Sequence, residues 1–162
     1  MSIAPEIVFR DAVPGDEGIV AHFVRRLAEY EKLLHEAVAT EADFRTALFA
    51  TPPRLSALIA EQAGAPIGFA VWYYDFSTFS GKPGLYLEDI FVEPAHRGRG
   101  IGREIFRLLA RRALVEGCAR MNWSVLDWNA PSIAFYRSIG AVGMDEWTVQ
   151  RLEGAALAAL AA

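Results

Sequence analysis

The segment LYLEDIFVEPAHRGRGIGREIF, Leu85 to Phe106, constrains the fold of this chain more than any other. Its first eight residues, Leu85 to Val92, are aliphatic, aromatic and alternating enough to read as a strand. Ile101, Ile105, Leu108, Leu109 and Ala113 then fall on one face of a helix that Gly117 ends. Between strand and helix lie glycines at 98, 100 and 102, threaded with Arg97, Arg99 and Arg103. Such a loop loses much backbone entropy when it orders, so an interaction has to offset the loss. Main-chain N–H groups turned to one point at a helix start, together with the helix dipole, attract a phosphate or diphosphate.

Two common phosphate loops do not fit. A dinucleotide fingerprint, G-x-G-x-x-G, would place its third glycine at Arg103, and the acidic residue expected about twenty positions on is absent where Met121, Asn122 and Trp123 stand. A P-loop needs lysine after its last glycine, and none follows here. Arg97, Arg99 and Arg103 sit where an anion would lie. Arg107, Arg111 and Arg112 read as the solvated face of the helix.

The 162 residues suit one domain able to bury about two thirds of its unfolded surface. Apolar residues at 53% and charged residues at 22% are a globular balance, and a net charge of -4 argues against a nucleic-acid partner. One cysteine, Cys118, allows no internal disulfide and predicts a reducing, cytoplasmic setting. The start MSIAPEIVFRD has no signal-peptide pattern, and no run approaches the ~18 apolar residues that span a bilayer. His22, His35 and His96 lack metal-ligand spacing, so no metal is expected.

Along the chain, Ile7 to Arg10 reads as a strand, with an N-cap at Asp16 after the Pro14–Gly15 turn. A helix follows with an apolar stripe of Ile19, Phe23, Leu27, Tyr30 and Leu34. Thr40 and Asp43 have capping-box spacing for a second helix that ends before Pro52. Arg54 to Tyr74 predicts a hairpin turning at Gly64 and Ala65, with a loop from Asp75 to Gly84. RMNWSVLD, Arg120 to Asp127, reads as a further strand. Asn129 and Pro131 open a short helix closed by Gly140, and VGMDEWTVQRL supplies one or two last strands before an alanine-rich end. The sum is a mixed α/β fold.

The pattern [R/Q]-x-x-G-x-[G/A], set between strand and helix by Arg97, Gly100 and Gly102, resembles the acetyl-CoA loop of the GCN5-related N-acetyltransferases (GNAT). GFAVWYYDFSTFSGKPGLYLEDIFVEPAHRGRGIG, WSVLDWNAPSIAFYRSIGA and LAEYEKL extend the likeness to the diamine (spermidine/spermine) N-acetyltransferase branch, as far as about Leu152. The chain departs from the eukaryotic diamine enzymes in a shorter hairpin around residue 60 and in SGKPG before the central strand. The resemblance implies a mostly antiparallel sheet splayed between two parallel strands and flanked by about four helices. It implies one acetyltransferase domain over residues 1–152 with a tail over 153–162.

The resemblance also implies acetyl-CoA as cosubstrate, held by Ile90, Phe91 and Val92 on the strand, by Arg97, Gly98, Arg99, Gly100, Ile101, Gly102 and Arg103 in the loop, and by Asn129, Ser132 and Tyr136. It makes Tyr136 the acid that protonates the departing thiolate, and Glu88 the base, directly or through water. Asp89, Glu31, Glu146 and Trp147 would bind a small cationic amine, with Glu29 and Asp75 nearby. Glu88 and Asp89 are neighbours on a strand, so strict alternation would send them to opposite faces. Transfer would go by direct attack in a ternary complex, in a homodimer. Two other readings stand beside this one: a non-catalytic acyl-CoA-binding sensor, and a generic nucleotide-binding α/β protein.

Overall fold

Strands β1 (Ile7–Asp11), β2 (Ser56–Gln62), β3 (Ala65–Ser77), β4 (Lys82–Val92) and β5 (Met121–Asn122) form a single sheet in chain order. The computed structural model describes residues 6–162, so the first five residues of the expected domain lie outside the described residues. The chain divides into one compact unit up to Leu126 and a second from Asp127 onward. The first unit holds the sheet with helices α1 (Glu17–Tyr30), α2 (Glu41–Phe49) and α3 (Ile101–Val115); the second holds α4 (Ala130–Ser138) and α5 (Gly154–Ala161).

Neighbours from β1 to β4 are antiparallel, and β5 runs parallel to β4 over only two residue pairs, Leu85 with Met121 and Tyr86 with Asn122. One face of the sheet meets α1 and α2. Val20 and Phe23 of α1 and Leu48 of α2 pack on Ala57, Phe69, Val71 and Phe91, with the Phe23 and Phe69 rings stacked at 5.3 Å. Each of the valine, leucine and phenylalanine side chains removed from water contributes about 1.5–3 kcal/mol. Alternation turns Trp72 to the other face, where the Arg112 guanidinium of α3 lies 5.0 Å from its ring.

The expected box caps α2: the Asp43 N–H donates to Thr40 Oγ1 at 3.3 Å, and the Thr40 N–H donates to Asp43 Oδ2 at 2.8 Å. Asp16 stands at the start of α1 but makes no cap bond. Its carboxylate instead accepts two bonds from Arg10, at 2.6 and 3.0 Å, and one from the Val13 N–H. The Arg10 guanidinium holds it below the usual carboxylate range.

Several sequence expectations are corrected. The β2–β3 turn is Ala63–Gly64, both at positive φ, and Ala65 already pairs with Gln62. Much of the predicted loop 75–84 is strand: β3 runs to Ser77 and β4 starts at Lys82, stiffened by Tyr73 stacked on Tyr86 at 5.1 Å. The α1 stripe stops at Tyr30, because Lys32 adopts φ 62 and Leu34 begins a separate 3-10 turn. Only Met121 and Asn122 of the strand predicted over 120–127 join the ladder. Residues 142–152 form no strand, since the second unit has no sheet partner for them among the described residues. The alanine-rich end is the helix α5, as alanine's propensity favours.

Candidate active site

The centre of the site is an irregularity in β4. Val71 lies opposite Asp89, but the next residue, Trp72, lies opposite Leu87, so Glu88 is an extra residue without a counterpart on β3. A bulge of this kind reverses the alternation on either side of it. Leu87 shares the Trp72 face, whereas Asp89 shares the Val71 face with the end of α1. Glu88 is exposed, and its charge bears on both Asp89 and Tyr73. The unbroken alternation from which Glu88 and Asp89 were expected to diverge is interrupted here.

The bulge also switches which main-chain groups face β5. Ahead of it, the Leu85 N–H donates to the Arg120 carbonyl beside β5 at 3.0 Å. Beyond it, the Glu93 N–H donates to the Ile67 carbonyl at 2.9 Å, and the Phe91 carbonyl lies against Gly68 of β3. Ile90 and Val92 consequently turn their main chain toward the other edge, where pairing with β5 has stopped after Tyr86. Phe91 sends its ring into the core and its main chain to β3, so Ile90 and Val92 are the strand residues that line the opening.

Three carboxylates are near enough for two of them to act on the third. Burial, then the charges of Glu88 and Glu31, push the Asp89 carboxyl up to about 7, and burial raises that of Glu31. Tyr73 is raised by burial and by the Glu88 charge. Carboxylates crowded into a partly dry site favour a cation that relieves their repulsion. Of the other acids singled out, Glu29 pairs with Arg26 at 2.6 Å, and Asp75 lies over Gly84 with Arg120 at 3.7 Å.

The glycine loop leads directly into α3. Gly98 and Gly100 have φ of 74° and 81°, values that other residues rarely adopt, and a Cβ built at 98, 100 or 102 would meet nothing within 4 Å. Gly100 caps α3 without any side-chain cap bond, and Glu104 is the first residue whose N–H reaches back, to the Gly100 carbonyl. The start of α3, with its dipole, thus meets a glycine loop that has open space around positions 98, 100 and 102, an arrangement that suits an anion. Ile101 itself is buried. Arg99 donates to Gln62 Oε1 at 3.0 Å and lies 3.1 Å from His96 Nδ1. Arg107 pairs with Glu104, and Arg112 with Asp11, so two of the three helix arginines are ion-paired.

In the second unit Asn129 is buried and caps α4, its Oδ1 accepting from the Ser132 N–H at 3.4 Å. Tyr136, two turns along α4, is half-buried with its ring 5.7 Å from that of Phe135. Trp147 is 74% exposed and Glu146 is exposed, so that ring face is open to a cation. Among the described residues, no three His, Cys, Asp or Glu are grouped to hold a metal ion. The sequence expectations left out Tyr73 and the Arg26–Glu93 pair, and placed Tyr30 only in the apolar stripe of α1; the aromatic run WYY beside Asp75 was the available signal for the first.

Comparison with known proteins agrees with this geometry. The profile of the acetyltransferase (GNAT) family matches residues 23–141. Thialysine N-epsilon-acetyltransferase of Bos taurus is 37% identical, covering 96% of this chain and 97% of the relative. Spermidine/spermine N(1)-acetyltransferase-like protein 1 of Homo sapiens is 34% identical over 83% of this chain and 20% of its own length. An integron cassette protein from the V. cholerae mobile metagenome superposes with a TM-score of 0.79 at 26% identity, covering 96% and 97% of the two chains. These likenesses do not favour the sensor reading. The chain thus belongs to the GNAT family, as an acetyl-CoA-dependent N-acetyltransferase of the diamine branch.

Proposed function

We propose that this protein acetylates the terminal primary amine of a small diamine, polyamine or amino acid of the thialysine kind, by direct attack within a ternary complex. The observation that carries the reading is the grouping of Glu31 and Glu88 around Asp89, beyond the residues where β4 loses its partner. Three acids there suit an alkylammonium, and one poised at about 7 suits a group that must bind a cation and let it lose a proton near neutrality.

The main-chain groups of Ile90 and Val92 and the first-turn amides of α3 would hold acetyl-CoA, with Arg99, Arg103, Asn129 and Ser132 contributing. The cosubstrate supplies a thioester whose carbonyl carbon accepts the amine. The new C–N bond forms as the C–S bond breaks; Glu88 takes the amine's proton, and the Tyr136 hydroxyl gives its own to the sulfur. Asp89 and Glu31 hold the ammonium before attack, and Glu146 and Trp147 are assigned to the amine as well. The domain doing this spans residues 1–152, with 153–162 as a tail.

The same reading takes the protein to be a cytoplasmic homodimer without nucleic-acid or membrane partners. Exposed Val142, Met144, Trp147, Val149 and Leu152 support self-association. The single free Cys118 and the net charge of -4 support the rest. No helix among the described residues is long and apolar enough to cross a membrane.

Incubating the protein with acetyl-CoA and a panel of thialysine, ornithine, putrescine and spermidine, with CoA thiol release followed, tests the proposal. At least one terminal amine should be acetylated with one CoA released per product. Acetyl-CoA binding without turnover of any amine would overturn it.

A further inference from the structure

We propose that Arg97 is a positioning residue that ties the glycine loop to the end of α1, so that filling the loop orders the wall carrying Tyr30 and Glu31. The inference rests on the acetyl-CoA reading of the loop. Arg97 opens that loop, yet its side chain turns back across the molecule. Its Nε donates to the Val92 carbonyl at 2.8 Å, and its guanidinium lies 5.0 Å from the Tyr30 ring and 5.2 Å from the Phe91 ring. One planar cation thus meets β4, the core aromatic beside it and the last residue of α1.

The place of this contact matters. One turn earlier, α1 is already anchored to the end of β4: Arg26 donates to both Glu93 oxygens, at 3.2 and 3.1 Å, and lies 5.8 Å from Phe91. After Tyr30 the chain leaves the helix, passes through Lys32 at positive φ and enters a short 3-10 turn. Arg97 therefore grips the last regular residue ahead of the least regular stretch, and Glu31, whose charge bears on Asp89, comes next. A diphosphate that fixes the Gly98–Arg103 backbone would fix the base of this side chain, and through it Tyr30. A phosphate ligand would instead point its guanidinium into the glycine loop.

Amide hydrogen exchange of residues 27–36, with and without saturating acetyl-CoA, reads the coupling without needing an amine. In the wild type acetyl-CoA should slow exchange there by about threefold or more. In Arg97→Ala, kept saturated with acetyl-CoA at a concentration set by calorimetry on the variant, that slowing should vanish; Arg97→Lys should keep part of it. Should Arg97→Ala fail to fold, Tyr30→Leu, which keeps bulk but loses the aromatic face, should likewise abolish it. Slowing that is absent from the wild type or persists in these variants overturns the proposal, as does a Kd raised about tenfold with slowing intact, the mark of a phosphate ligand. Failure of the amine panel with the exchange coupling intact would count against the acetylation reading alone.

Discussion

Asp89 lies directly opposite Val71, two positions from a residue, Leu87, that faces the other side of the sheet. A single extra residue, Glu88, accounts for that reversal and brings Asp89 to the end of α1. It also turns the main chain of Ile90 and Val92 outward just where β5 ceases to pair. The placing of Asp89 near Glu31 and the unpaired edge of β4 thus follow from one bulge.

Asp89→Asn should reveal a site that trades stability for function. An unfolded aspartate titrates near about 3.9, and Asp89 in the fold at about 7. Between these values the native state holds a proton that the unfolded state has lost, so native stability falls as pH rises through that window. The Asn variant carries no such loss. Its Tm should exceed that of the wild type at pH 8, with the gap narrowing toward pH 5, while its KM for the amine rises about tenfold or more. An Asn variant less stable than the wild type at pH 8 would contradict the burial of a charge there.

Gly68→Ala should destabilise the sheet at the site. A Cβ at 68 would stand 2.9 Å from the Phe91 carbonyl and 3.4 Å from Val92 Cα, both main chain, so β4 itself has to shift. A loss of about 1–3 kcal/mol in denaturant unfolding is expected, together with weaker acetyl-CoA binding because Ile90 and Val92 move.

Much of this was legible because local chemistry decided it. The Thr40–Asp43 box, the stripe through Phe23, the Leu85–Val92 strand and the Asn129 cap form as their residues dictate. The bulge at Glu88 was not legible, because neighbouring strands set register and LYLEDIFV alone reads as unbroken alternation. Asp16 failed as a cap because Arg10, six residues away, competes for the same oxygens. Residues 142–152 alternate like a strand, yet their unit offers no partner.

Gly100→Ala tests the glycine loop. With φ at 81° and open space around the position, the substitution meets no clash and acts only through backbone strain, about 1 kcal/mol. Acetyl-CoA affinity should fall by more than stability does, as calorimetry set against thermal unfolding would reveal.

Tyr136→Phe keeps the ring and removes the proton donor. A kcat lowered about 10²-fold or more at unchanged acetyl-CoA Kd is expected. Unchanged turnover would remove Tyr136 from the chemistry.

Initial-rate kinetics with both substrates varied test direct transfer most squarely. Double-reciprocal lines for acetyl-CoA and an accepted amine should intersect, and protein incubated with acetyl-CoA alone should keep its mass. Parallel lines, with an acetyl group found on the protein, would contradict an attack by the amine on the thioester itself.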